Sequence, residues 1–212
     1  MRAIVSGLTT VFLTLYPTWV GAQCNQCPGD FNGNHLVTVD EILVSVNNAL
    51  TGCPPPGARF VDNGNGTITD TKTGLQWEKK SDDGSIHDQD NTYSWSSTGT
   101  AADGTAFTEF LTTMNQTNFA GHNDWRLPSV TELESLLEFG HPAPLVAPAF
   151  NTACDTGCTV LTCSCTILDY YWTSTTVETL TDVLNVDFNW GLVNLYEKTL
   201  SGFFYVRAVR GS

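Results

Sequence analysis

Asp124-Trp125-Arg126-Leu127-Pro128-Ser129-Val130-Thr131-Glu132-Leu133-Glu134-Ser135-Leu136-Leu137-Glu138-Phe139 is the stretch that decides the fold. Pro128 fixes its own φ and biases Leu127 away from the helical region, so the chain enters extended and then stops. Ser129 suits an N-cap, and Glu132, three residues on, can return its carboxylate to the Ser129 N–H. Val130, Leu133, Leu136 and Leu137 recur at helical spacing on one face, whereas Glu132, Glu134 and Glu138 point to water. Gly140 can take the left-handed position after the last turn, and Pro142 forbids continuation. These signals predict a helix over 130–139, with an apolar face that needs a sheet or another helix to cover it.

On its C-terminal side, residues 170–176, 183–189, 192–196 and 203–209 read as strands. Leu184, Val186 and Phe188 alternate with Asn185 and Asp187, and Trp190-Gly191 marks a turn. Between helix and strands lies Cys154-x3-Cys158-x4-Cys163-x-Cys165, amid Thr, Ser and Gly. It is too poor in apolar residues for a core and reads as a protruding loop held by two local disulfides of open connectivity. On the N-terminal side, residues 59–61 and 67–69 flank Asn63-Gly64-Asn65-Gly66, a strong hairpin signal, and a second turn at 71–74 leads to Leu75-Gln76-Trp77. Residues 81–105 are polar and Gly-rich. Asp82, Asp83, His87, Asp88 and Asp90 there read as a solvated loop, with a cation loop as the alternative, and Tyr93 and Trp95 can anchor it. A second helix is expected over 105–115, burying Phe107, Phe110, Leu111 and Met114. The fold class is therefore α+β, two helices against a mostly antiparallel sheet.

Trp125-Arg126-Leu127-Pro128-Ser129 followed by Glu132-Leu133 resembles the signature of the Lcl C-terminal domain family, found at the ends of secreted and surface proteins of bacteria. Residues 60–70 with Thr73-Gly74-Leu75-Gln76-Trp77 are similar to that family's first hairpin. Tyr171-Trp172-Thr173-Ser174-Thr175-Thr176 is similar to its central aromatic strand, and Tyr205-Val206-Arg207-Ala208-Val209-Arg210-Gly211 to its closing strand. The ordered set spans about residues 58–212. It implies a C-type-lectin-like domain, related to the formylglycine-generating fold, displayed at a surface and recognising glycans or other extracellular polymers. Formylglycine-generating enzymes depend on a late cysteine pair. No cysteine follows Cys165 here, so that activity is not carried over.

Ahead of this domain, residues 1–22 read as a secretory signal peptide: Arg2, an apolar run, then Val20-Gly21-Ala22 as cleavage site. Residues 23–53 carry a second motif. Asp30, Asn32 and Asn34 occupy positions 1, 3 and 5 of a calcium-loop pattern, with the Leu36 carbonyl at 7, Thr38 at 9 and Glu41 at 12. Calcium takes six to eight oxygens, and this spacing wraps them around one point. A helix from about 40 to 50 follows, burying Ile42, Leu43, Val46 and Leu50. The whole resembles one dockerin repeat or a single EF-hand loop with its exiting helix. His35 stands at position 6, where that pattern prefers Gly. The competing reading is an Asx-rich loop that caps a helix without metal. Cys27 and Cys53 flank the module and can tie its ends, one of seven cysteines remaining over in the early group of Cys24, Cys27 and Cys53. Residues 54–57 are a Pro-rich linker.

The chain has 9 Lys+Arg against 22 Asp+Glu, a formal net charge of −13, which disfavours nucleic acid and anionic membranes and favours cations and neutral ligands. No stretch after residue 22 is long enough to span a membrane. The four histidines share no motif, and no Gly-x-Ser-x-Gly, His-Glu-x-x-His or phosphate loop occurs. A structural Trp125 and a capping Arg126 are preferred over a substrate site. The expectation is a secreted, non-enzymatic, calcium-stiffened binding or adhesion protein, whose ligand surface uses Trp172, Asn189, Trp190, Asn194 and Tyr196. Aromatics with amides suit neutral sugars. Two alternatives stand: a carbohydrate-active enzyme or accessory subunit tethered by the dockerin-like module, and a structural part of an extracellular assembly. A protein partner and the oligomeric state are left open.

Overall fold

The computed structural model describes residues 39–51, 57–177, 181–200 and 204–211, and within them the fold is α+β with two four-stranded sheets. The first sheet grows from the Asn-Gly turn. Strands β1 (Phe60–Asp62) and β2 (Thr67–Asp70) pair antiparallel, and β3 (Gln76–Glu78) adds to β2. The Asn63 side-chain amide donates to Thr67 Oγ1 at 2.8 Å and to Thr69 Oγ1 at 2.9 Å, which locks the turn. Gly66 lies at φ +91°, and a Cβ there would sit 2.9 Å from the Val160 side chain, so both backbone and packing require glycine.

The second sheet is a meander of β4 (Tyr170–Thr176), β5 (Asp182–Asp187) and β6 (Leu192–Glu197), antiparallel throughout. Strand β7 (Phe204–Tyr205) joins β4 in parallel, giving the order β6-β5-β4-β7. The strand expected over 203–209 is thus corrected. After β7 the chain leaves that sheet, and β8 (Val209–Arg210) pairs with β3 in the first. Residues 206–208 make the crossing, and the buried Arg207 explains it: its guanidinium donates to Glu78 O at 2.7 Å and Cys165 O at 2.5 Å.

Strands β4 and β5 of the second sheet are covered on both faces. Tyr171 and Val186 face a core with Leu133, Leu136, Trp77 and Phe150; Trp172 and Val183 face another with Trp95, Phe110, Met114 and Trp125. Asn185 and Asp187 are therefore buried, against the polar-out alternation of their sequence.

The helix expected over 105–115 is a π-helical turn, Ala106–Leu111, running into α2 (Thr112–Gln116). Ala106, Phe110 and Met114 are buried at a spacing of four, on one face, while Phe107 and Leu111 are half-buried. At the organising stretch, the Ser129–Glu132 capping box forms, but α3 spans only Val130–Glu134. The expected end at 139 is corrected. Leu137 N–H donates to Glu134 O in a tightened last turn, and the backbone then pairs as a strand: Leu137 bridges Val146, and Ala147 N–H donates to Leu136 O at 2.8 Å. Gly140 has φ +98°, yet it lies beyond this pairing and does not cap the helix.

Helix α1 (Val39–Thr51) forms where the sequence places one. Its apolar residues Ile42, Leu43, Val46 and Leu50 do share a face, but they are exposed, not buried. Among the described residues nothing buries that face, and a single amphipathic helix cannot cover its own. Residues 30, 32, 34, 36 and 38 of the calcium pattern, the Glu41 side chain, Cys27 and Cys53 lie outside the described residues. Among the described residues no helix is long and apolar enough to cross a membrane.

Candidate functional site

Four places on the domain carry unusual chemistry. The first is buried. Glu78, on β3, is fully enclosed, and its Oε1 accepts from Lys80 Nζ at 3.3 Å and contacts His87 Nδ1 at 2.8 Å. Its Oε2 accepts the Ala208 N–H at 2.9 Å. Burial pushes this carboxyl up, but Lys80, His87 and the Ala208 N–H together hold it below its ordinary range. Burial pulls the Lys80 ammonium below its ordinary value against the opposing charge of Glu78. Lys80 also lies 4.9 Å from the Phe110 ring centroid, and Arg207 5.2 Å from that of Phe150. Glu78, Lys80 and Arg207 have no open face for a substrate. The set clamps β3 to the 206–208 crossing and to the cysteine loop.

That loop is nested. Cys154 bonds Cys165, and Cys158 bonds Cys163, so the late four pair among themselves as expected. The expectation of a protruding loop is corrected at its C-terminal end: Cys163 and Cys165 are buried, and Cys165 N–H donates to Lys80 O at 3.0 Å.

The second place is acidic. Asp82, Asp88 and Asp90 bring carboxylate oxygens within 4.8 Å of one another. Asp88 already accepts from Gly84 N–H at 2.6 Å and Asp90 N–H at 2.8 Å, so its oxygens shape the loop. Burial and the charges of Asp88 and Asp82 raise the Asp90 carboxyl.

The third place is a groove of about 490 Å3 lined by Thr92, Tyr93, Ser94, Ser96, Ser97, Thr105 and Thr199. Its lining is rich in hydroxyls. It starts where β6 ends, since Ser96 N–H donates to Lys198 O at 2.9 Å.

The fourth is the corner at the β5–β6 turn. Asn189 N–H donates to Asp187 Oδ1 at 2.7 Å, which tightens the turn and leaves Trp190 projecting, 69% exposed. Gly191, at φ +68°, lies close against the Phe139 ring: a Cβ there would be 2.6 Å from it. Phe139 is itself 65% exposed, so two aromatic side chains share one corner. Asn194 and Tyr196 lie half-buried along β6, and the Tyr196 ring packs 5.2 Å from Tyr170. Trp172 is corrected as a ligand residue. It is fully buried, stacks on Phe204 at 3.8 Å, and donates its Nε1–H to Tyr93 O. Phe139 is the residue that sequence reading missed. The signal was present, because Phe139 falls off the face formed by Leu133, Leu136 and Leu137.

Trp125 and Arg126 take structural roles. Trp125 is buried and donates to Phe119 O at 3.0 Å; Arg126 makes a two-point pair with Glu132 at 2.8 and 2.7 Å. This pair ties the extended entry to the capping box, so Arg126, Ser129 and Glu132 act as one unit.

Searches of the curated proteins and of the solved structures returned no significant match. The model of the Lcl C-terminal domain matches residues 66–210, from the first hairpin through β8. The chain belongs to the Lcl C-terminal domain family.

Proposed function

We propose that this chain is an exported surface or extracellular protein of bacteria whose domain at 58–212 binds an extracellular polymer, a neutral glycan in the first instance, and does not transform it. The observation that carries this reading is the corner at Gly191, where the Phe139 ring meets the turn that carries Asn189 and Trp190, both aromatic side chains being about two-thirds exposed. Large apolar side chains rarely stay exposed in pairs without a partner. Aromatic faces stack on sugar rings, and a neighbouring amide supplies directed hydrogen bonds. The hydroxyl-lined groove at the far end of β6 offers a second polar contact for an extended chain. The family match supports an extracellular-type domain, and the two disulfides suit an oxidising compartment. On this reading the sheets form a C-type-lectin-like frame, and residues 23–53 form a calcium-stabilised module of EF-hand or dockerin type.

A glycan array probed with the purified chain tests the proposal. Binding without turnover is expected, and Trp190→Ala should abolish most of it while the melting temperature stays within a few degrees of wild type. If Trp190→Ala unfolds the domain, the site is misplaced. Shortening of a polysaccharide, abolished by a single carboxylate change, would replace this reading with an enzymatic one.

A further inference from the structure

Strand β6 is the open edge of the second sheet among the described residues. The ladder decides which of its backbone groups are spare. Phe188 N–H donates to Asp169 O at 3.2 Å, and Lys198 N–H donates to Thr181 O at 2.8 Å. Hydrogen-bonded pairs alternate along an antiparallel ladder. With Val183 opposite Tyr196 and Asn185 opposite Asn194, the backbone groups of Leu192, Asn194 and Tyr196 therefore face β5. Those of Val193 and Leu195 point outward and are spare, whereas the Glu197 carbonyl already accepts the Leu200 N–H at 3.1 Å. Natural edges are usually blunted by Lys, Pro or a bulge, or are kept short. Strand β6 is six residues long and has neither Lys nor Pro. Leu192, Val193 and Leu195 are exposed along it, next to Trp190. In a chain of net charge −13, residues 188–196 carry no charged side chain, so this is a seam along which two copies can meet without like charges opposing.

We propose that β6 pairs antiparallel with β6 of a second copy, about a two-fold axis through Asn194, joining two sheets into one of eight strands. Outward-facing residues must pair with outward-facing residues. Centring on Asn194 sets Val193 opposite the partner's Leu195, on the face shared with Val186, and Leu192 opposite the partner's Tyr196 on the other face. Glu197 falls opposite the partner's Gly191, so no two carboxylates meet. Such an interface is isologous and closes at two copies. The exposed side chains of Trp190, Leu192, Val193 and Leu195 offer on the order of 400 Å2 per copy, about half of a standard interface. Backbone and polar atoms along the seam supply the remainder. One consequence concerns the corner. Within one copy Trp190 and the Thr199 end of the hydroxyl groove lie about 30 Å apart along β6. Across the seam Trp190 comes beside the partner's Lys198 and hence the partner's groove. That consequence rests on the ligand reading above; the pairing does not.

The test uses the full chain. Asn194→Cys places its thiol across the axis from its own copy at a Cα separation of about 4.5 Å, within disulfide reach. Leu192→Cys lies opposite the partner's Tyr196 and far from its own copy. Sizing with light scattering at tens of micromolar should find a dimer. Air oxidation should give a covalent dimer with Asn194→Cys and none with Leu192→Cys, with wild type treated alike as reference. Leu195→Lys, which sets ammonium groups on both sides of the seam, should weaken the dimer about tenfold or more with circular dichroism unchanged. A wild-type monomer, with β6 bare or covered by α1 of the same chain, overturns the proposal. So does a trimer, a dimer that Leu195→Lys leaves unchanged, or equal cross-linking by both cysteine variants. Loss of glycan binding with cross-linking intact removes the ligand reading and supports the pairing.

Discussion

Glu78 is the residue on which most of the buried polar network converges. Lys80, His87 and the Ala208 N–H all meet its two oxygens, and its own carbonyl accepts from Arg207. Glu78→Gln removes the charge and leaves Lys80 and Arg207 enclosed without the carboxylate they share. A loss of roughly 3–5 kcal/mol is expected in urea unfolding, as when one member of a buried pair is removed. The same group governs acid stability, together with Glu132, whose carboxyl is held low by the Arg126 bond, with burial opposing and the Ser129 N–H assisting. Both folded values lie below the ordinary 4.5, so the unfolded chain takes up protons more readily. The stabilisation is complete above about pH 4.5 and is lost as pH falls through the folded values. Melting temperature measured from pH 6 to pH 3 should therefore drop, and the drop should be smaller in Glu78→Gln, whose stability has already lost that charge.

At the scale of elements, α3 shows how a well-capped helix can still be short. Ser129, Glu132 and Arg126 start it correctly, and Leu133 and Leu136 bury completely. The pairing of 137–138 with 145–146 then outcompetes further helical turns, because Leu145 N–H also donates to Phe188 O at 2.7 Å and anchors that segment to the second sheet. Leu136→Ala should cost about 2–5 kcal/mol by chemical denaturation, as buried leucine truncations do. Phe139→Ala, three residues on, should cost well under about 1 kcal/mol because its ring is already in water. Equal costs would mean that Phe139 is covered in solution. The cysteine loop behaves as an element too. Non-reducing peptide mapping should recover Cys154 with Cys165 and Cys158 with Cys163, the nested arrangement that lets Cys165 reach Lys80. Any crossed pairing would contradict that packing.

For the whole molecule, one crossing organises the domain. Residues 206–208 leave one sheet and enter the other, and Arg207 bonds backbone from β3 and from the cysteine loop at once. The domain therefore has two cores separated by the second sheet, whose strands β4 and β5 contribute to both. The N-terminal module is a separate matter of ligand chemistry. We propose for it one calcium ion, which side chains of Asp30, Asn32, Asn34 and Glu41 and the Leu36 carbonyl would hold. Titration calorimetry of the full chain should register one calcium per molecule, lost in Glu41→Ala, because the bidentate acid closes the coordination shell. No calcium heat in the wild type would remove the metal from this protein.

Local chemistry made part of this molecule legible in its sequence. The Asn63–Gly66 turn, the Ser129–Glu132 capping box, the β5–β6 hairpin around Trp190-Gly191 and the pairing of the late cysteines among themselves each depend on residues at most 11 positions apart, whose local chemistry acts before any packing. Trp190 as an exposed turn residue was legible for the same reason. The length of α3, the splitting of 203–209 into β7 and β8, and the burial of Trp172, Asn185 and Asp187 were not. Each is decided by segments distant in the chain: 145–147 against 136–138, Glu78 against Ala208, and residues 93–114 closing over the second face of the sheet. An alternating strand reads the same whether one face or both are covered, because alternation records side-chain direction and not what lies opposite. Sequence determined which segments turn, cap and cross-link; tertiary structure decided which faces meet, because burial is a property of pairs of surfaces that no single segment contains.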